Sequence, residues 1–258
     1  MRDKRGQLTL FVIIAVVIIA IVLLVIFLVP KTNNPQNTAS ESIDPETYIS
    51  SCINDELEPM VDDIAVRGGD FEKNNCIFYG DICRKYLCYQ TLPYRPCVNQ
   101  EPLLQQHIEG LIKERLQEED VVDACVDNFI NAAQRKGYET SVCNSPQFSV
   151  VLIPGQVTVP INCQMTLAKG EENKKFMNLN TSMSWPLFDF IMISQKIIDD
   201  EMRKTDFDPF SFMLSNTLIE IEKIRTSDGS DIYVLRDRAT RKEFVFALKN
   251  YILPRGPL

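Results

Sequence analysis

The sequence predicts an α+β fold: an N-terminal transmembrane helix followed by a disulfide-stapled ectodomain with a helical part and an antiparallel-sheet part. Three observations predict it. The run Leu8–Val29 carries no charge. All eight cysteines lie beyond that run. Apolar residues recur at helical spacing as far as Gly137 and at strand spacing after it. The chain of 258 residues is 45% hydrophobic with a net charge of −8, so it can build a sizeable core. Beyond Lys31 there are 23 basic and 34 acidic residues. So acidic an outer part excludes nucleic acid as a partner, because that affinity comes largely from neutralising phosphates.

Residues 1–6 form a basic cytoplasmic leader with Arg2, Lys4 and Arg5. Residues 7–29 form the transmembrane helix, and Thr9 is the only polar residue within Leu8–Val29. Twenty-two residues at the helical rise give roughly 33 Å, enough to cross a hydrocarbon core of about 30 Å. A cleavable secretory signal has a shorter apolar region and a small-residue cleavage site, whereas this run continues to Val29-Pro30. The basic leader stays inside, so residues from Pro30 onward lie outside the cell membrane.

The junction Lys4-Arg5-Gly6-Gln7-Leu8-Thr9-Leu10-Phe11 resembles the class III signal of archaeal type IV pilin-like proteins. The resemblance implies cleavage between Gly6 and Gln7 by a prepilin peptidase, leaving the apolar helix at the mature N-terminus. The chain also resembles uncharacterised single-pass surface proteins of small-genome archaea, whose N-termini read close to RGQLTLF. The specific match covers about the first 30 residues. It departs from bacterial pilins, which carry Glu at the fifth mature position, where this chain has Phe11.

Cys52, Cys76, Cys83, Cys88, Cys97, Cys125, Cys143 and Cys163 read as a disulfide framework on the outer side of the membrane. Eight cysteines allow 105 pairings, so connectivity stays open. Cys52 suits a staple from its helix to the later helices. The stretch from Cys76 to Cys97, rich in Tyr and Pro, reads as a loop held by crosslinks. No C-x-x-C occurs, which argues against structural zinc and thioredoxin-like chemistry.

Residues 30–44 are a flexible linker with almost no apolar side chains. Residues 45–144 form a cysteine-rich, mainly helical region, with Asp44 capping its first helix and Pro45 at the first position. Pro59 is expected to kink or end that helix, and Arg67-Gly68-Gly69-Asp70 to close it as a turn. Leu104, Ile108, Leu111, Ile112 and Leu116 draw a second helical stripe. A third follows from Val121 to Lys136-Gly137. His107 flanks the second stripe as a boundary histidine, and Glu118-Glu119-Asp120 is a solvated bend.

Residues 145–258 form an α+β region with antiparallel strands, either a second core or part of a shared one. Strands are expected at Tyr138–Cys143, Phe148–Ile153, Val157–Leu167 and Phe176–Ser184, the last two pairing across a charged turn. Asn180-Thr181-Ser182 is a glycosylation sequon by pattern. A helix over Leu187–Arg203 ends in Asp199-Asp200-Glu201, read as a solvated helix end in preference to a cation site. A short helix at Phe207–Asn216 and a three-stranded meander from Ile219 to Leu248 complete the domain.

No catalytic motif is present: there is no G-x-S-x-G, Walker-type loop, G-x-G-x-x-G or H-E-x-x-H. No catalytic, cofactor-binding or metal-ligating residue stands out, and no cofactor is expected. Asp62-Asp63 and Asp199-Asp200 are adjacent pairs, which do not face one point on a helix. The expected function is a membrane-anchored extracytoplasmic structural or interaction protein, a pilin-like surface subunit of the minor or adhesin type. Its expected partners are the membrane and other pilin-like subunits or envelope components. The alternative is a membrane-anchored extracellular enzyme or ligand-binding module acting on envelope polymers or peptides.

Overall fold

The first helix, α1 (Pro45–Val66), starts where the residue types demand it. The Asp44 carboxylate accepts from Thr47 N–H at 3.0 Å, and Pro45 occupies the first turn, where no amide donor is needed. This is a computed structural model that describes residues 44–92, 94–203 and 206–250. The chain divides into two units, Met1–Ile43 and Asp44–Leu258, and the described residues all belong to the second. The leader, the Gly6–Gln7 junction, the expected anchor at 7–29 and most of the linker lie outside the described residues. Among the described residues, no helix is long and apolar enough to cross a membrane.

Pro59 does not end α1: the helix runs on to Val66 with the proline inside it. Pro59 is exposed, so the carbonyl it deprives of a donor can turn to water. Ile49, Ile53, Leu57, Val61 and Ile64 on the opposite face are fully buried and hold the helix in register.

The segment expected as a crosslinked loop is instead a hairpin, β1 (Cys76–Tyr79) and β2 (Ile82–Tyr89), followed by a short β3 (Val98–Asn99) that pairs with β2. Leu87 and Cys88 of β2 are fully buried. The strand does not look apolar because Arg84 and Lys85 interrupt it, and both find partners inside the protein. The region before residue 144 therefore carries strands as well as helices. Next come α2 (Leu104–Glu118) and α3 (Val121–Arg135), joined at Asp120 in the left-handed conformation.

After α3, five strands form an antiparallel sheet around one long strand. These are β4 (Glu139–Val142), β5 (Gln147–Phe148), β6 (Val151–Ile153), β7 (Gln156–Lys169) and β8 (Glu172–Ser184). β8 pairs with one edge of β7, while β4, β5 and β6 pair in succession with the other. The expected strand at Phe148–Ile153 is thus broken into β5 and β6. The β7–β8 pairing shifts register between Asn162 and Met165, where Cys163 bonds Cys143.

Two helices, α4 (Leu187–Met202) and α5 (Pro209–Ser215), lead into β9 (Ile219–Arg225), β10 (Ser230–Asp237) and β11 (Glu243–Lys249). The expected meander forms, but it does not stand alone. β11 pairs in parallel with β2, giving a mixed sheet in the order β1-β2-β11-β10-β9, so the sheet is not purely antiparallel. One sheet thus draws strands from both sides of residue 144. The core beneath it includes Tyr233, Phe244, Phe246, Phe190 and Trp185, all under 2% exposed.

All eight cysteines pair. Cys52–Cys125 ties α1 to α3, the staple from the first helix that the sequence suggested, with Cα atoms 5.8 Å apart. Cys76–Cys83 crosslinks the β1–β2 hairpin and Cys88–Cys97 folds the following loop back onto β2.

Candidate functional site

The Arg67-Gly68-Gly69-Asp70 turn brings α1 against β2 and α2. Gly69 has φ +89°, and a Cβ there would sit 2.8 Å from Ile108 Cδ1, so only glycine allows so close an approach. The turn delivers Asp70 to a polar cleft of ≈310 Å³ whose lining includes Glu72, Asn74, Lys85, Glu101 and His107. Lys85 Nζ donates to Asp70 Oδ2 at 2.5 Å and to Glu101 Oε1 at 2.7 Å. Asp70 also accepts the Glu72 N–H at 2.9 Å. His107, on α2, places Nε2 3.5 Å from Asp70 Oδ2, too long for a good hydrogen bond but close enough for attraction when the imidazole is protonated.

Burial alone would raise the Asp70 pKa. The nearby His107 ring, the Lys85 ammonium and the Glu72 amide outweigh it and hold the carboxyl well below the ordinary range. Burial would likewise lower Lys85, but Asp70 and Glu101 reverse it, and its pKa rises. Both groups stay charged at neutral pH. Chemically, the cleft offers carboxylates, amides and one imidazole around an ammonium that already has two partners. That arrangement suits binding of a polar or cationic group better than nucleophilic attack.

A second charged cluster lies at the end of α4. Asp199, Asp200 and Glu201 were expected as a solvated end, but Glu201 turns inward and is 6% exposed. Its Oε1 accepts from Lys223 Nζ at 2.8 Å and from Tyr233 Oη at 2.7 Å. Asn250 Nδ2 donates to the Glu201 carbonyl oxygen at 2.9 Å, which pins the end of the described chain. The adjacent carboxylates diverge, as helical geometry requires: Asp200 pairs with Lys196 on the surface. Asp62 and Asp63 also diverge, Asp62 accepting from Trp185 Nε1 and Lys242 Nζ, Asp63 from Arg67 Nε.

Asn180 lies exposed on β8, opposite Pro160, at the edge of an open polar concavity of ≈530 Å³ that includes Asp44, Thr47 and Asn54. Its sequon partner Ser182 is exposed too, while Thr181 between them is buried. The cysteines do not gather: they form four separate pairs on different elements. Among the described residues, no group of three or more His, Cys, Asp or Glu could hold a metal ion.

Sequence reasoning treated Asp70 only as a turn residue and passed over Lys85 and Glu101. The available signal was the Gly-Gly pair ahead of an acidic residue and the Arg84-Lys85 pair within the cysteine-rich stretch, both too common to single out.

No protein-family model, no curated protein and no solved structure matches the chain.

Proposed function

We propose that this chain is a membrane-anchored extracytoplasmic structural or interaction protein, a pilin-like surface subunit of the minor or adhesin type. The observation that carries the reading is the pairing of all eight cysteines into four disulfides, which persist in oxidising compartments outside the cytoplasm. The uncharged run Leu8–Val29 behind a basic leader supplies the anchor and its orientation, and Arg5-Gly6-Gln7 supplies the pilin-like processing signal. Exposed Asn180 is available for glycan attachment on the outer face.

The test is the N-terminal residue of the native protein, by intact mass and peptide mapping from membranes, together with the protein content of purified surface appendages. A mature start at Gln7 and recovery in appendages are the expected results. An intact leader with no copies in appendages overturns the pilin-like assignment and leaves a plain signal anchor.

One observation favours a second reading, a ligand-binding module. The cleft at Asp70 and His107 gathers three carboxylates, one of them with a strongly depressed pKa. Chemical-shift changes confined to His107 and its neighbours on titration with arginine or spermidine would support that reading; unchanged spectra at millimolar ligand would remove it.

A further inference from the structure

The helix α5 is unusual in what it leaves uncovered. Five of its seven residues, Pro209-Phe210-Ser211-Phe212-Met213-Leu214-Ser215, are apolar, yet none is buried. Its inner side is fixed: the Phe212 ring meets Phe207 at 5.8 Å, and the Met213 sulfur accepts from Ile221 N–H at 3.2 Å. Phe210 and Leu214, one helical turn apart, share the opposite side and are 66% and 68% exposed. Leu218, just beyond, is 71% exposed. The Arg238 backbone N–H donates to the Leu218 carbonyl at 2.9 Å, which places exposed Arg238 beside this ridge, with exposed Arg241 on the same turn. The acidic residues at the start of α5 are occupied: Asp208 accepts from Phe210 N–H and Ser211 Oγ, and Asp206 pairs with Lys223.

We propose that the Phe210–Leu214–Leu218 ridge, with Arg238 and Arg241 at its rim, is a contact surface for the lipid bilayer. Phenylalanine and leucine flanked by arginine are the residues that settle at the boundary between headgroups and acyl chains. The length of the tether supplies the occupant. The 14 residues between Val29 and Asp44 can span no more than about 50 Å. While the chain is anchored, the domain therefore stays within reach of the bilayer, and a weak apolar contact acts at high effective lipid concentration. This inference rests on the membrane-anchored reading above.

The test uses the full-length chain in phosphatidylcholine vesicles whose acyl chains carry bromine, a contact quencher of indole fluorescence. Wild-type protein has one tryptophan, Trp185, which is 1% exposed and serves as the unquenched fold control. The variant Phe210→Trp adds a reporter on the ridge. The expected result is loss of the added emission in brominated vesicles and its return in unbrominated ones, with Trp185 emission unchanged; Leu218→Trp should repeat the pattern. Added emission that is insensitive to bromine in chains incorporated into vesicles overturns the proposal while leaving the anchor intact. Emission that instead shifts to the blue with rising protein density overturns it in favour of a second copy of the chain. A chain that fails to incorporate at all defeats the anchored reading itself, and this inference falls with it.

Discussion

Lys85 and Lys223 are each bonded to two carboxylates, with side chains 7% and 13% exposed, and yet their surroundings differ. Lys223 lies against the Tyr233 ring and shares the 8% exposed Glu201 with the tyrosine hydroxyl, with Asp231 3.6 Å away and 7% exposed, while its second partner, Asp206, stands at the surface, 71% exposed. Lys85 stands at the floor of an open cleft, with Glu101 25% exposed and the His107 ring 30% exposed beside Asp70. The first cluster joins α4 to the C-terminal sheet and has the character of architecture. The second joins a turn, a strand and a helix, and presents its polar edge to solvent. The difference teaches that ion pairing by itself does not mark a functional site: what distinguishes the Asp70 cleft is its accessible, mixed set of polar groups.

Substitution of the two lysines sharpens this contrast most. Lys223→Met takes the ammonium away from Glu201, whose side chain is 8% exposed, while Glu201 keeps the Tyr233 hydroxyl, Asp231 keeps Arg225 and exposed Asp206 rehydrates; chemical denaturation should register a loss of about 3–5 kcal/mol. Lys85→Met should cost less, about 2–3 kcal/mol, because Glu101 can rehydrate through the cleft while only Asp70 stays enclosed. Equal losses would mean that the Asp70 cleft is as dry as the surroundings of Glu201.

Acid sensitivity separates the regions next. Asp70 has a depressed pKa when folded, whereas in the unfolded chain it titrates near ~3.9. Its contribution is therefore present above about pH 5 and is lost as pH falls toward the folded value, since the unfolded state takes up the proton first. Asp70→Asn should lower stability at neutral pH and flatten part of the acid limb of a denaturation-midpoint profile. Asp228, Asp44 and Asp208 are also held low, so some acid slope should persist.

The misreadings of the sequence share this physical origin. The stretch holding β2 reads as a loop because it is rich in Tyr and Pro, and hydropathy cannot register that Arg84 and Lys85 within it are awaited by the Val66 carbonyl, Asp70 and Glu101. The end of α4 was read as solvated for the same reason: the Glu201 partners, Lys223 and Tyr233, arrive from strands more than twenty residues away. The parallel pairing of β2 with β11 was equally illegible, because register between distant segments leaves no local pattern. What was legible depended on local rules. Asp44-Pro45 caps a helix, the stripe through Ile108 and Ile112 buries one helix face, and the residues from Ile219 onward form a meander. Of the candidate site, the turn at Gly68-Gly69 and the boundary position of His107 could be read, but not their meeting.

The smallest expected effect concerns that histidine. His107→Gln removes a half-exposed group 3.5 Å from Asp70 and should cost under about 1 kcal/mol at neutral pH. A larger loss would assign His107 a structural role and weaken the view of the cleft as an accessible site.

The central claim is that the outer domain matures outside the cytoplasm. The most direct measurement is maleimide labelling of fresh cells lysed without reductant, followed by peptide mapping of this chain. The account predicts no labelled cysteine and four linked pairs, Cys52–Cys125, Cys76–Cys83, Cys88–Cys97 and Cys143–Cys163. Labelled thiols across the eight positions would contradict it and place the domain in a reducing compartment.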